Sequence, residues 1–528
     1  MKRYRIIIYI VIVTSGSMWG CKNFLETEPK DFLSPEFYFE NEEQVQAALV
    51  GIYNCMSSTQ NGNVMYAGRY TFAMGTEGDD GFYRKGPERN VVGHYLYTAS
   101  TPDLSNFWRM MYRGINQANL LLENIDEADI DDVRKEVIRG ETLFLRGYYY
   151  FMLVSYFGDV PLILESTTSP TENQIARTPS PDVYQQITDD MEQAYNLVRS
   201  IADIEHSGRV NKSAVAGVLA RVYLYWAGNP LRDESKYEDV KNWAAKVMDP
   251  EEVGIEHRLN PSYQQVFINQ AQDIYDIEES LWEVEFYGNR TDRPRQAGTL
   301  GNYIGIRSSN SEVGNSNANV LASSRLYLLY EEEDERRDWC IAPFQYSPVS
   351  STNKQEYTTT AIWSRDAGKY RREYETFLPK STGYTPINFP LLRYADVLLM
   401  FAEAENQING PTEAAIEAFN QVRARAKASL LEHASIPANK TEFLYLIQDE
   451  RSRELCFEGL RRNDLIRWDI YLSSMKTFAA SYESSSAAGA AAKRVVSHFK
   501  NIAPKHLLWP IPTRELMLNR ELTQNPGW

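Results

Sequence analysis

Apolar positions recur at helical spacing along most of the chain. Met111, Ile115, Ala118, Leu122 and Ile125 follow one another at intervals of four and three, the repeat that gathers side chains on one face of an α-helix. Phe144, Tyr148 and Phe151 do the same, as do Val215, Leu219, Val222 and Trp226, and Ala415, Phe419, Val422 and Ala426. End signals agree with these stripes. Asn211 stands where it can cap a helix with its side chain, and Gly158, Gly228 and Gly410 each stop one. Two segments read as helix pairs: Ser213–Ala227 with Tyr237–Met248 across the turn Gly228-Asn229-Pro230, and Tyr394–Asn409 with Thr412–Ala426 across Gly410-Pro411. Small alanines at close-contact positions beside aromatics make the pairs similar to degenerate tetratricopeptide repeats. The pattern predicts a mainly α fold in which single-stripe helices pack pairwise into a scaffold.

Polar stretches without periodicity separate the helical blocks. Gly62–Ser105 and Asn289–Asn319 are long, and rich in Gly, Asn, Asp, Ser and Tyr. Irregular segments of that length in a compact protein usually carry function. A third segment, Ser484–Lys493, is low in complexity and reads as a mobile surface loop. The acidic run Glu331–Glu335 reads as solvated.

The first residues form a different kind of signal. Lys2, Arg3 and Arg5 precede the apolar run Ile6–Val13, and Gly20 precedes Cys21. This is the pattern of a secretory signal peptide over residues 1–20, with Cys21 as the acylation point of a bacterial lipoprotein. Met18 stands where such signals usually carry Leu, and Trp19 is unusually bulky. Lipidation would anchor the chain without a transmembrane helix, and no later stretch of about 18 apolar residues reads as a span.

Composition narrows the function. The 528 residues carry 55 Lys+Arg against 71 Asp+Glu, a formal net charge of −16. A nucleic-acid binder needs a basic face to neutralise phosphates, so no nucleic-acid partner is expected. Aromatics make up 12% of the chain, with 34 Tyr, a composition that suits flat polar ligands such as sugars. The remaining cysteines, Cys55, Cys340 and Cys456, have no close spacing and read as buried free thiols.

Catalytic motifs do not stand out. The 6 His show no HExxH pattern, and neither a G-x-S-x-G elbow nor a phosphate loop is present. No metal site and no cofactor are called for. Paired carboxylates would suit a glycoside hydrolase, but among 71 acidic residues spacing singles out no pair. The densest cluster is Glu77-Gly78-Asp79-Asp80-Gly81. It reads first as a solvated turn, with carboxylates also suited to Ca²⁺ or sugar hydroxyls.

In order along the chain, further segments are similar to one known family. They are Cys21 with Phe24-Leu25-Glu26; Ala47-Ala48-Leu49; Phe107-Trp108; Phe144-Leu145-Arg146-Gly147-Tyr148; Gly158-Asp159-Val160-Pro161-Leu162; and Arg393-Tyr394-Ala395-Asp396-Val397. The series continues with Glu450-Arg451, Glu454, Glu458-Gly459, Arg461 and Asp464, then Leu508-Trp509-Pro510-Ile511-Pro512, and ends in Gln524-Asn525-Pro526-Gly527-Trp528. The chain resembles the SusD/RagB family of outer-membrane lipoproteins. The resemblance implies one SusD-like unit over 21–528, with a helical part over about 21–250 and a RagB/SusD part over about 270–528. It implies a surface lipoprotein on the outer membrane that binds oligo- or polysaccharide and delivers it to a SusC-like TonB-dependent transporter. Peptide capture, or less favourably an all-helical glycoside hydrolase, are the alternatives. Arg393, Glu403, Arg451, Glu454, Arg461 and Asp464 read as ion pairs between helices, and Trp509–Pro512 as an extended segment packed back on the body.

A sugar site needs aromatic platforms beside hydrogen-bonding side chains. Aromatics of the two irregular stretches are the candidates: Tyr66, Tyr70, Phe82, Tyr83, Tyr95 and Tyr97 in the first, Tyr287 and Tyr303 in the second, with Trp363 and Tyr370 from a third polar segment. The chosen platforms are Tyr83, Tyr287 and Tyr303. The chosen polar contacts are Asp80, Arg84, Asn302 and Arg307, drawn from neighbours that include Asp79, Asn289 and Arg290.

Overall fold

A computed structural model describes residues 39–57, 65–68, 70, 76–167, 169, 174–291, 296–432 and 435–528. The signal peptide and Cys21 lie outside the described residues. In chain order the first half runs α1 (Glu42–Ser57), β1 (Gly81–Tyr83), α2 (Pro102–Asn124), α3 (Asp132–Phe157), α4 (Ser180–Leu197), α5 (Lys212–Ala227), α6 (Tyr237–Met248) and α7 (Tyr263–Gln272). The second half adds β2 (Ser280–Val284), β3 (Val320–Ala322), α8 (Arg336–Cys340), β4 (Phe344–Tyr346), β5 (Lys354–Glu356) and β6 (Phe389–Arg393). It ends with α9 (Tyr394–Asn409), α10 (Glu413–Arg425), α11 (Lys440–Leu455), α12 (Arg461–Arg467) and α13 (Tyr471–Ser484). Consecutive helices α1 to α6 each pack on the next, and α9 extends the layer by packing on α6, α10 and α11. Three short antiparallel pairs, β1–β3, β2–β6 and β4–β5, tie the irregular segments down. The mainly α expectation is met.

The cap and stop signals act as the sequence implies. Asn211 Oδ1 accepts from the Ala214 amide at 2.9 Å and opens α5. Gly158 ends α3 with φ +70, a left-handed conformation that costs a side-chain-bearing residue more than glycine. The single-stripe reading is too simple for α5, where every residue from Ser213 to Ala227 is buried. Gly217 makes this possible on one side, since a Cβ there would stand 2.4 Å from the Leu392 side chain of β6. Arg221 makes it possible on another. It donates to Asp396 at 2.6 Å and to the Leu391 carbonyl at 2.8 Å, so its charge is answered inside the core.

Three readings of the irregular segments need correction. Ala490–Val496, within and beyond the low-complexity segment, is helical, and its small Ala488 and Ala492 fit against the core. The acidic run is only partly solvated: Asp334 is buried against Arg336, and Glu331 pairs with Arg423. In the first long stretch Tyr66, Tyr70, Phe82, Tyr83, Tyr95 and Tyr97 are all core residues. Tyr66 shares a 2.5 Å hydrogen bond with Tyr148, Tyr70 packs 4.9 Å from Phe107, and Tyr97 stacks on Trp528 at 5.2 Å. Aromatic packing of this kind supplies the burial that periodicity supplies in a helix. The C-terminal segment returns as expected, with the Trp509 amide donating to Tyr156 O at 2.6 Å and Asn525 bridging Trp509 O and Phe157 O.

Buried charge joins the two halves of the chain. Glu454 accepts from Arg425 at 2.6 Å, Arg393 at 2.8 Å and Arg336 at 3.0 Å, and all four side chains are buried. Arg393 also reaches Glu279 at 2.8 Å and Glu458 at 2.7 Å. A second cluster centres on Arg451, which holds Asp396 at 2.6 Å and Asp464 at 2.9 Å. Asp464 and Glu403 also both pair with Arg467. Residues 77–80 belong to the same system and are not a solvated turn. Asp79 pairs with Arg461 at 2.6 Å, Asp80 accepts from Ser452 at 2.7 Å, and Glu77 lies 3.7 Å from Arg462. Burial would raise the Asp396 carboxyl, but Arg451 and Arg221 outweigh it and hold it down to about 2. Around Glu77 burial wins over Arg462 and pushes the carboxyl up to about 7.

Two outcomes follow from these charges. Glu454→Gln leaves three buried guanidinium groups short of one countercharge, a defect that costs about 3–5 kcal/mol; urea unfolding should show it, and a loss below about 1 kcal/mol would mean the network is dispensable. Glu77 binds its proton more tightly folded than unfolded, so its contribution to stability falls as pH rises from 4.5 through about 7. Glu77→Gln should flatten the melting-temperature profile across that window, and an unchanged profile would contradict the assignment.

Candidate functional site

The irregular segments of the C-terminal half converge on two hydrogen-bonded hubs. Asn302, in the helical turn Leu300–Tyr303, is one. Its side-chain amide donates to Asn315 O at 2.9 Å, and its own carbonyl accepts from the amides of Asn317 and Ala318 at 3.0 and 3.1 Å. Arg372 is the other. It is clamped on Glu375 at 2.8 Å and donates to the carbonyls of Asn315, Thr382 and Tyr384. These two buried polar groups fix segments 302–319 and 372–388 to each other, because a buried donor left without an acceptor is expensive.

One patch on this framework centres on Asp366. Arg84 continues from β1, where its amide donates to Asn319 O at 2.8 Å. Its guanidinium donates to Ala318 O at 2.8 Å and pairs with one oxygen of Asp366. The other oxygen accepts from the Arg307 amide at 2.8 Å, while the Arg307 side chain is exposed. Burial raises the Asp366 carboxyl, with Arg84 the main opposing influence. Beside it the Arg365 guanidinium lies 4.7 Å from the Tyr327 ring and 5.1 Å from the Tyr357 ring. It also donates to the carbonyls of Ala361 and Thr358. Both rings are half-buried, and the cation holds them in place.

A second patch flanks segment 372–388. Tyr287 is 47% exposed and meets Phe377 edge to face at 5.1 Å, beside Leu378, which is 71% exposed. The Arg290 guanidinium covers the Tyr384 ring at 3.9 Å. Asn289 ties this segment down, donating to Pro379 O at 2.8 Å and accepting from Thr382 at its carbonyl.

The chosen residues divide on burial. Tyr287, Tyr303, Arg84 and Arg307 reach the surface fully or in part. Tyr83 and Asp80 are each 4% exposed. Tyr83 packs on His94, and Asp80 faces Ser452 and Arg461. Asn302 is likewise buried and supports the loops from within. These three therefore offer a ligand no free face. Tyr370 is core, and Trp363 stands half-buried, edge-on to Tyr482 at 5.0 Å. Tyr327, Tyr357, Arg365, Phe377 and Tyr384 were missed. For Tyr357, Arg365, Phe377 and Tyr384 the signal was the polar segment that pointed to Trp363 and Tyr370 but not to the residues around them, whereas Tyr327 lies apart in the short helix Ser324–Leu329.

The arrangement suits binding. Among the described residues no group of three or more His, Cys, Asp or Glu could hold a metal ion. The carboxylate of the Arg84 patch is committed to guanidinium and amide donors. Two cavities lie on other parts of the molecule. One of about 620 Å³ is lined by Tyr184, Tyr225, Leu231 and Lys505, and one of about 350 Å³ by Trp108, Tyr112 and Leu518.

Comparison with known proteins gives the same frame for the whole chain. Residues 278–528 match the family model described as the SusD family, and residues 23–224 match the one described as starch-binding associating with outer membrane. SusD-like protein P25 of Formosa agariphila is 28% identical over 99% of this chain and 98% of its own. A SusD homolog from Bacteroides thetaiotaomicron superposes with a TM-score of 0.83 at 27% identity, covering 94% of this chain and 98% of its own. A structure described as a laminarin-binding SusD-like protein has a TM-score of 0.72 at 22% identity, covering 93% of this chain and 100% of its own. Two family models that between them match most of the chain, with relatives and a fold shared from end to end, support one assignment for it, the SusD/RagB family.

Proposed function

We propose that this protein binds glycan at the cell surface and passes it to a SusC-like TonB-dependent transporter, and that acylated Cys21 anchors it to the outer membrane. One observation carries the binding reading: aromatic rings and arginine side chains reach the surface on the loops built on Asn302 and Arg372. A pyranose ring presents a flat C–H face ringed by hydroxyls. Tyr287 with Phe377 offers the apolar face, and the exposed Arg307 and part-exposed Arg84 side chains of the Asp366 patch offer donors. An open surface, unlike an enclosed cavity, also lets a polymer continue past the site in both directions.

Related proteins support the reading. The family model over residues 23–224 is described as starch-binding and outer-membrane-associated. One structural neighbour is described as laminarin-binding, and another, from Bacteroides fluxus, as a surface glycan-binding protein. We read the protein as a binder and not a hydrolase, because the buried carboxylates of the loop framework, Asp366 and Glu375, are paired with Arg84 and Arg372 and are not free to act as general acids. The segment before residue 39 supplies the anchor in this proposal, through the basic start, the apolar run and the Gly20-Cys21 junction.

The test begins with a glycan array on protein lacking residues 1–21, followed by titration calorimetry with the glycan it identifies. Stacking on one ring is worth about 0.5–1.5 kcal/mol, so Tyr287→Ala with Phe377→Ala should weaken binding about tenfold or more, with the circular dichroism unchanged. Full affinity in the folded double variant would remove this surface from the proposal. Tyr83→Ala is no substitute test, because it hollows the core.

A further inference from the structure

Two buried cysteines, 116 positions apart by their numbering, come together beside the charge network. Cys340 ends α8, and Cys456 follows directly on α11. Both are fully buried free thiols, and neighbouring residues of one segment hold them, the Gly368 amide donating to Cys340 O at 2.7 Å and the Lys369 ammonium to Cys456 O at 2.8 Å. The groups around them are shared. The Tyr263 hydroxyl lies 3.2 Å from Cys340 Sγ and donates to Glu454 O at 2.9 Å. The Tyr330 hydroxyl lies 3.6 Å from Cys456 Sγ and donates to Arg453 O at 2.8 Å. The Lys369 ammonium also lies close enough to influence both thiols. The third described cysteine, Cys55, is buried elsewhere, against Gln117 at 3.4 Å.

We propose that Cys340 and Cys456 form a disulfide when the chain folds in the presence of a disulfide-bearing oxidant, and so bolt α8 to the end of α11. The two thiols lose two protons and two electrons, one S–S bond forms, and the oxidant's disulfide is reduced to two thiols. The geometry favours this pair because both sulfurs lie in one cluster of side chains, around Tyr263, Tyr330 and Lys369, whereas Cys55 is packed against Gln117. The chemistry favours it as well. Burial pushes the Cys456 thiol up, whereas around Cys340 burial is outweighed by the neighbouring Cys456 and the Lys369 charge, which bring the thiol down, so Cys340 is the attacking member of the pair. That raises the share of thiolate, which is the attacking species in disulfide exchange. Once the body closes, the bond is sealed from reductants in the medium. Its formation in the cell rests on export from the cytoplasm; the chemistry itself does not.

The experiment separates those two conditions. The full chain is refolded in a buffer of oxidised and reduced glutathione, denatured without reductant in iodoacetamide, and mapped by mass spectrometry. The same mapping is done on protein isolated from cells that export it. Joined Cys340 and Cys456 peptides, with Cys55 alkylated, are expected in both. Linkage after refolding but not in the exported protein would support the pairing and overturn its occurrence in the cell. Separate alkylation of both cysteines after refolding with oxidised glutathione, or linkage to Cys55, would overturn the pairing. Wild-type protein refolded in dithiothreitol should melt several degrees below wild-type protein refolded in the glutathione buffer, whereas Cys456→Ser should melt at one temperature after either refolding. An equal response of the two would count against the proposal.

Discussion

Charge taken out of water must be answered inside the protein, and that requirement shapes this molecule more than any single apolar contact. Arg336, Arg393, Arg425 and Glu454 are buried together, and removing any one member strands the others in a medium of low polarity. The pairing is also geometric. Arg393 closes β6 and opens α9, Arg425 ends α10, Arg336 begins α8, and Glu454 lies in the last turn of α11. One carboxylate thereby fixes where five elements meet. Apolar burial would tolerate sliding between such helices, whereas directed hydrogen bonds do not.

The loop surface inherits its rigidity from this centre. Lys369 and Arg393 both reach Glu458, which stands just beyond α11. Lys369 lies three positions before Arg372, the residue that collects the carbonyls of three separate loop positions. From there Asn302 and Asp366 hold the segment that carries Arg307, Asn289 ties down the neighbourhood of Tyr287, and Arg365 holds Tyr357. A binding surface made of irregular chain can be precise when its backbone groups are satisfied by buried side chains, and here they are.

Much of the scaffold was legible because helices announce themselves by period. The stripes, the Asn211 cap and the glycine stops place α5, α6, α9 and α10 within a residue or so of their observed ends. Ion pairing by Arg393, Arg451, Arg461 and their carboxylates was anticipated as a class, but the partners were not readable. Asp79 and Arg461 are separated by 382 positions, and no local pattern links them. The candidate site was legible in region and less so in residue. Irregular chain has no period to say which side faces in, so Tyr83 and Tyr287 looked alike, although one fills the core and the other stands at the surface. Asp80 and Asn302 were chosen by residue type as ligand contacts, whereas both are buried and hold loops and helices together.

Hydrogen–deuterium exchange with and without the glycan selected on an array tests the central claim most directly, because it reads the whole chain at once. The account predicts added protection in segments 287–290, 302–319, 357–366 and 377–384, with the helices α1 to α6 unchanged. Protection confined to the 620 Å³ cavity between Tyr184, Tyr225 and Lys505, with those four segments unaffected, would contradict it.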